Sequence, residues 1–579
     1  MLVVVLGLAR CAANEGSSDK AGAAGGSGAS PCIGPGCATG GSGNTGGFGG
    51  TADAGLPPEK ELESSFRSPV ATGKYVWTAN PDSGRIALVD ATSLDVHTVE
   101  AGFGPTYLAA IPDPADPNAS QAIVINVKSE DATVLRADAK ANVTTETVPL
   151  HPEANSWALS KGGHWAIAWT DAAQLTNADP TEGFQDLTVV DLSGAAQATR
   201  LSVGYRPTRI FLSEDETRAF AITEPGVSVI ELESPLGPSV LKDVPVTDDP
   251  LENPASRDVS VTPDGSFALV RRDGSPDVGI VSLADGTRVT VTLSGPVTDL
   301  DLSGDGSRAV AVVRAPGSTD TSDAGTPDAG AIDASAGDAD VDGGDAEAGL
   351  PEASAPPPAK SSEVFVLPIP GIFTTPAQYD TVTIDGEIVG SASLSPSGDV
   401  VVLYTNAIPN DHLTLLDTAS GASYLSYRTV ALKAPVQAAF VAEDGSHAVA
   451  LLSPGSTSQK AGAFSLVPIA NVLPPKIQGT EAPPMSVAIG PAPSTRAVVT
   501  TRDDVKKIYG AYLARMPQLQ VDRIDLPSPP LATGMVPVAN VAFVAQEHPE
   551  GRITFIDLSD GKARTLTGFE LGAKVVDGN

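Results

Sequence analysis

The residue types that carry most chemistry are thin on the ground in this sequence. His97, His151, His164, His412, His447 and His548 are scattered, and none forms a His-Glu-x-x-His pair, which would place two metal ligands and a base on one helix face. No phosphate loop ending Gly-Lys-Ser/Thr and no Gly-x-Ser-x-Gly elbow occurs. Cys-x-x-Cys-His is absent, which disfavours covalently attached haem. The histidines do not recur at the repeat spacing that a multinuclear copper site would need.

Two patterns could still bind something. Trp157, Trp165 and Trp169, with His164, form the main aromatic concentration. Trp165 and Trp169 are four apart, so on one strand they face the same side. They either stack a ligand such as a sugar ring or fill the space between neighbouring units. The second pattern is Asp338-Ala-Asp340-Val-Asp342-Gly343, which opens as calcium loops do, with alternating oxygen ligands before a sharp turn. The twelfth loop position is Gly349, so the usual bidentate carboxylate is missing, and no flanking helices are expected. Asp338, Asp340 and Asp342 either take calcium or belong to a solvated acidic loop. No other cofactor is expected.

The three cysteines are Cys11, Cys32 and Cys37. Residues 2–9 form an apolar run too short to span a bilayer, as in the core of a secretory signal. It ends at Leu8-Ala9-Arg10-Cys11, which resembles the lipobox of bacterial lipoproteins, with Arg10 where a small residue is usual. That resemblance implies acylation of Cys11 and an anchor in the cell envelope, with simple secretion as the alternative. Residues 12–66 begin with a Gly/Ser-rich stretch, read as a flexible tether spanning roughly 35–40 Å. Gly41-x-Gly43-x-x-Gly46 lies inside it without a strand before or a helix after, so it is no dinucleotide fingerprint. Cys32 and Cys37 flank a Pro/Gly turn and are read as a local disulfide, or else as a metal pair.

Seventy acidic against 36 basic side chains leave a formal charge of −34. Nucleic-acid binding relies on neutralising phosphates, so a nucleic-acid partner is not expected. No run of 18 apolar residues occurs, so membrane contact is expected through the lipid alone. Gly 58 and Pro 49 against few aromatics point to short strands joined by many turns.

Those strands must be positioned by a repeat. Turns rich in Asp, Gly and Ser each precede an apolar strand, as in Thr262-Pro-Asp-Gly-Ser-Phe-Ala-Leu-Val270 and Ser303-Gly-Asp-Gly-Ser-Arg-Ala-Val310. A third strand often ends in Asp: Asp90, Asp191, Asp417 and Asp557. A more polar fourth strand follows. This order predicts an all-β propeller of four-stranded blades over residues 67–579, with ten candidate repeat units. Seven to ten blades fit, in one ring or two. The first blade is expected to lack an inner strand, with the last strand of the chain completing it. Residues 316–360 read as a disordered acidic insert between the second and third strands of one unit.

Tyr75-Val-Trp-Thr-Ala-Asn80, the Asp-terminated Ala87-Leu-Val-Asp90 and the Gly-x-x-Pro leads at Gly102 and Gly204 resemble the YVTN family of bacterial surface propellers. The resemblance implies fold and surface location, and no reaction. The expected function is a monomeric binding or scaffold module for a protein, peptide or glycan, and not an enzyme. A lactonase-like propeller enzyme and a calcium-dependent adhesion module are the alternatives.

Overall fold

The computed structural model describes residues 69–249, 251–314, 361–419, 425–455, 458–470, 473–569 and 575–578. Cys11, Cys32, Cys37, Asp338, Asp340 and Asp342 lie outside them.

The hairpin turns form as their residues dictate. In Thr262–Phe267 the Thr262 hydroxyl donates to Asp264 at 2.5 Å, and Asp264 accepts the Ser266 N–H at 3.0 Å. Gly265 then takes φ +69°, a left-handed conformation cheap only for glycine. Ser303, Asp305, Gly306 and Ser307 repeat the arrangement. Each turn sends the chain back antiparallel beside the strand before it.

Ten sheets result, and in each the four repeat strands pair in chain order. The blades span 70–100, 105–149, 156–202, 209–245, 257–292, 297–385, 391–431, 436–480, 484–525 and 530–578. The middle strands of a blade are covered on both faces, so they read as unbroken apolar runs. Trp165–Trp169 and Val541–Gln546 are buried throughout, whereas the outer strand Val96–Glu100 is largely exposed. Five inner strands carry a register shift at their first residues, beginning at Pro105, Val297, Val436, Pro484 and Pro530. Such bulges bend the chain as it enters a blade.

Side chains interdigitate between blades, and each junction has its own apolar cluster. There are ten clusters for ten junctions, so the blades form one closed ring. The ring closes where Val76 and Val89 of blade 1 meet Phe543 and Phe555 of blade 10. The expected strand exchange across the termini does not occur. Blade 1 has its own inner strand, Val70–Thr72, paired with Tyr75–Trp77. Gly73, at φ +54°, makes that turn, and a Cβ there would lie 2.6 Å from the Asn118 carbonyl. Val575–Gly578 instead pairs with Ala563–Thr567 as a fifth strand on the outer edge of blade 10. Side-chain packing therefore closes the ring, joined at its edge by Arg564 of blade 10, which donates to the Thr92 carbonyl of blade 1 at 2.8 Å.

All inner strands run in the same direction. The links between blades and the loops joining second to third strands therefore emerge at one end, here called the upper end. The hairpin turns described above lie at the lower end. The acidic insert leaves blade 6 at the upper end, between Arg308–Arg314 and Ser361–Pro368, whose pairing continues to Arg314 opposite Ser362.

Candidate functional site

The upper loops of blades 2–5 are joined into a collar. In blade 2, the Lys128 N–H donates to the Phe103 carbonyl at 3.1 Å and the Val127 N–H to Gly104 at 3.0 Å. The Leu150 N–H reaches the Glu130 carbonyl at 3.0 Å, linking blade 2 to the lead into blade 3. Asn155 and Asp171 exchange hydrogen bonds at 2.8 and 3.0 Å. The long loop after Trp169 is then held by Arg206, which donates to the carbonyls of Asp179 at 2.9 Å and Glu182 at 3.2 Å. Its guanidinium lies 5.4 Å from the Tyr205 ring and 5.9 Å from Phe184. The Glu224 N–H donates to the Tyr205 carbonyl at 2.8 Å, and Arg257 donates to the carbonyl of Glu224. Arg272 meets Glu252 at 3.0 Å and completes the collar at blade 5. Burial lowers the Arg257 pKa, and Glu252 opposes that shift.

This collar carries apolar side chains in the open. Phe103 is 75% exposed, Val127 41% and Leu251 90%. Phe184 and Tyr205 are half-buried. Phe103 is presented rather than loose, because its carbonyl accepts the Lys128 N–H and its own N–H donates to the Ser129 hydroxyl at 3.1 Å.

Deeper in the ring, inner strands of blades 4, 5 and 6 bring charges together. Arg209 lies 3.9 Å from Asp258. Arg271, opposite Asp258 in register, meets Asp273 at 3.1 Å and donates to the Val297 carbonyl at 3.3 Å. Asp299 is fully enclosed; its oxygens accept the N–H groups of Leu300 at 3.0 Å and Ala392 at 2.7 Å. Burial pushes its carboxyl up to about 7, opposed by the Ala392 N–H and the Arg271 charge. Both oxygens are committed to backbone, so Asp299 acts as a staple between blades 6 and 7.

Of the two readings of the tryptophans, the structure shows the packing one. Trp165 and Trp169 do face the same side, but they pack with Leu187, Ile210 and Ala219 between blades 3 and 4, 7% and 0% exposed. A sugar ring would need an indole face that this packing covers. The edge of Trp165 borders a cavity of about 310 Å³ on the lower side with Asp191, Gln197 and Glu233. A cavity of about 310 Å³ occupies the matching place on blade 10, lined by Val541, Phe555 and Asp557. Its recurrence marks a wedge left by the splay of the blades.

The histidines do not converge. His151 is buried, its Nδ1 2.9 Å from the Thr188 hydroxyl, and burial pushes it down to about 4. His164 pairs with Glu216 at 2.6 Å on the lower end. Among the described residues no group of three His, Cys, Asp or Glu could hold a metal ion. The collar is not legible along the chain, because its loops come from four blades and no motif runs through them all. The one local signal was Gly102-Phe-Gly-Pro105 and its copy at Gly204, whose second residues are Phe103 and Tyr205.

Fold and rim together define a ten-bladed β-propeller with a structured upper collar. No family model matches the chain, and no curated protein matches it. Solved structures match by fold. A eukaryotic initiation factor is 12% identical, covering 78% of this chain and 94% of its own at a TM-score of 0.46. Apo AztD from Citrobacter koseri is 12% identical, covering 76% and 92% at 0.35. The dihydro-heme d1 dehydrogenase NirN is 12% identical, covering 74% and 78% at 0.34.

Proposed function

We propose that the chain is a binding or scaffold propeller of the cell envelope that engages a macromolecular partner through its upper collar. The observation that carries this reading is the exposure of Phe103 and Leu251 on hydrogen-bonded loops at one end of the ring. Open apolar side chains on a rigid support lose little conformational freedom when a partner covers them. The lipobox-like Cys11 and the YVTN-like first blade support a tethered, surface-facing placement.

A photo-reactive group placed at position 103, and separately at Leu236 on the lower end, tests the site in source cells. Discrete adducts from 103 and none from 236 are expected. Equal adducts from both positions would remove the collar from the proposal. Intact-mass analysis of detergent-extracted protein tests the anchor: a mature chain beginning at acylated Cys11 supports it, and an unacylated chain ends it.

The charged inner wall favours a second reading, lactone hydrolysis in the channel. Asp258 beside Arg209 is its candidate base and oxyanion partner. Turnover of simple γ- and δ-lactones that disappears in Asp258→Asn would establish it, and equal rates in both proteins would dismiss it. The calcium reading rests on Asp338, Asp340 and Asp342; unchanged thermal stability with and without millimolar calcium would dismiss it.

A further inference from the structure

The collar also says what kind of partner it suits, an inference that rests on the binding-module reading. Its loops are bonded from blade 2 to blade 5 without a break: 103 to 128, 130 to 150, 155 to 171, 182 to 206, 205 to 224 and 224 to 257. They hold the apolar side chains of Phe103, Val127, Tyr205 and Leu251 on one rim. Around them stand the exposed carboxylates of Glu130, Glu153, Asp179, Glu182 and Asp249, with Asp248 paired to Arg288 at 2.6 Å. Among the described residues of these loops, Lys128 is the one exposed cation.

The other cations of the collar are already used. Arg206 donates to two carbonyls of the long loop. Arg257 and Arg272 converge on Glu252 and on backbone carbonyls. They build the collar and leave its surface negative. Hydrogen bonds donated by the Thr181 hydroxyl and N–H also hold the Asp179 carboxyl below its usual range. Apolar side chains spaced along a rim and fringed by carboxylates are complementary to a segment with apolar anchors and lysine or arginine between them. We infer that the upper collar of blades 2–5 docks a basic peptide segment bearing aromatic or aliphatic anchors.

Two fluorescent peptides of about twelve residues serve as probes. Both carry two tryptophans and two leucines; the remaining positions are mostly lysine in one and glutamate in the other. Anisotropy with the full chain should show the lysine peptide binding at least about tenfold tighter. Phe103→Ser combined with Leu251→Ser should weaken it at least about tenfold, while Leu236→Ser, 99% exposed on the lower end, should leave it unchanged. Every substitution is at a solvent-facing side chain, so folding is preserved. Lysine-peptide binding indifferent to the double substitution overturns the inference, because it then reflects only the diffuse charge of the protein. Glutamate-peptide or glycan binding through the same two residues overturns the partner chemistry and leaves the binding module standing. Absence of binding by both peptides at millimolar concentration also overturns the partner chemistry; the cross-links from position 103 judge the module separately.

Discussion

His151 shows how one buried side chain sets a pH response. Its folded pKa, about 4, lies below the usual value near 6.5. Between these limits the unfolded chain binds the extra proton, so stability falls as pH drops from about 6.5 to 4, by up to about 3 kcal/mol at that site. His151→Gln should flatten this limb of a plot of melting temperature against pH; an unchanged slope would assign the acid loss elsewhere. Asp299 works in the opposite direction. Its raised pKa means the folded chain keeps a proton that the unfolded chain loses, so its contribution is full below about pH 4 and is lost as pH climbs to about 7. Glu216 presents a different balance. It takes φ +59°, where the matching turns have Gly265, Gly306, Gly398 and Gly445. The return is its side chain, which binds Gly162 and His164 of the neighbouring blade. Glu216→Gly frees the backbone yet should lower stability by about 1 kcal/mol in denaturant titration, because a charge-assisted bond outweighs the strain. A gain in stability would mean the strain dominates.

At the scale of the element, the hairpin turn is the repeating device. Its glycine serves two purposes that can be separated. At Gly265 a Cβ would lie 2.3 Å from the Phe220 ring, whereas at Gly274, in the upper loop between the second and third strands of the same blade and with nearly the same φ of +71°, it meets nothing within 4 Å. Gly274→Ala should cost about 1–2 kcal/mol, the backbone strain alone. Gly265→Ala should cost about 1–3 kcal/mol more, because the Phe220 ring must move. Equal losses in urea unfolding would show that the ring yields freely. These turns were legible in the sequence because Thr-Pro-Asp-Gly-Ser is a local instruction: its hydroxyl, carboxylate and glycine act on backbone within six residues. The upper loops were not legible, because Arg206 reaches Asp179 and Glu182 across more than twenty residues, and no pattern in either segment names the other.

For the whole molecule, the decisive feature is that packing closes the ring. Phe543 is fully buried at the junction of blades 10 and 1, as Phe464 is at that of blades 8 and 9. Truncating either to alanine should cost about 3–5 kcal/mol. Similar losses in the two variants are expected if the closing junction is equivalent to the others, while a far larger loss at Phe543 would reveal it as the weak seam. Removing 316–360 behind a short turn should change the melting temperature by no more than about 2 °C, because the strands on either side already pair to Arg314 and Ser362. The repeat itself was present in the chain: each of the ten units carries its own turn, its buried strand and its polar outer strand, and alternation of burial follows from local residue type. The tertiary structure alone decided the rest. How many blades share a ring depends on the angle at which neighbouring faces pack, summed around the circle. Which loops join into a collar depends on segments brought together from separate blades. Neither is encoded within a single repeat, so a reading that proceeds along the chain finds the blades and leaves their closure and their collar to the packed molecule.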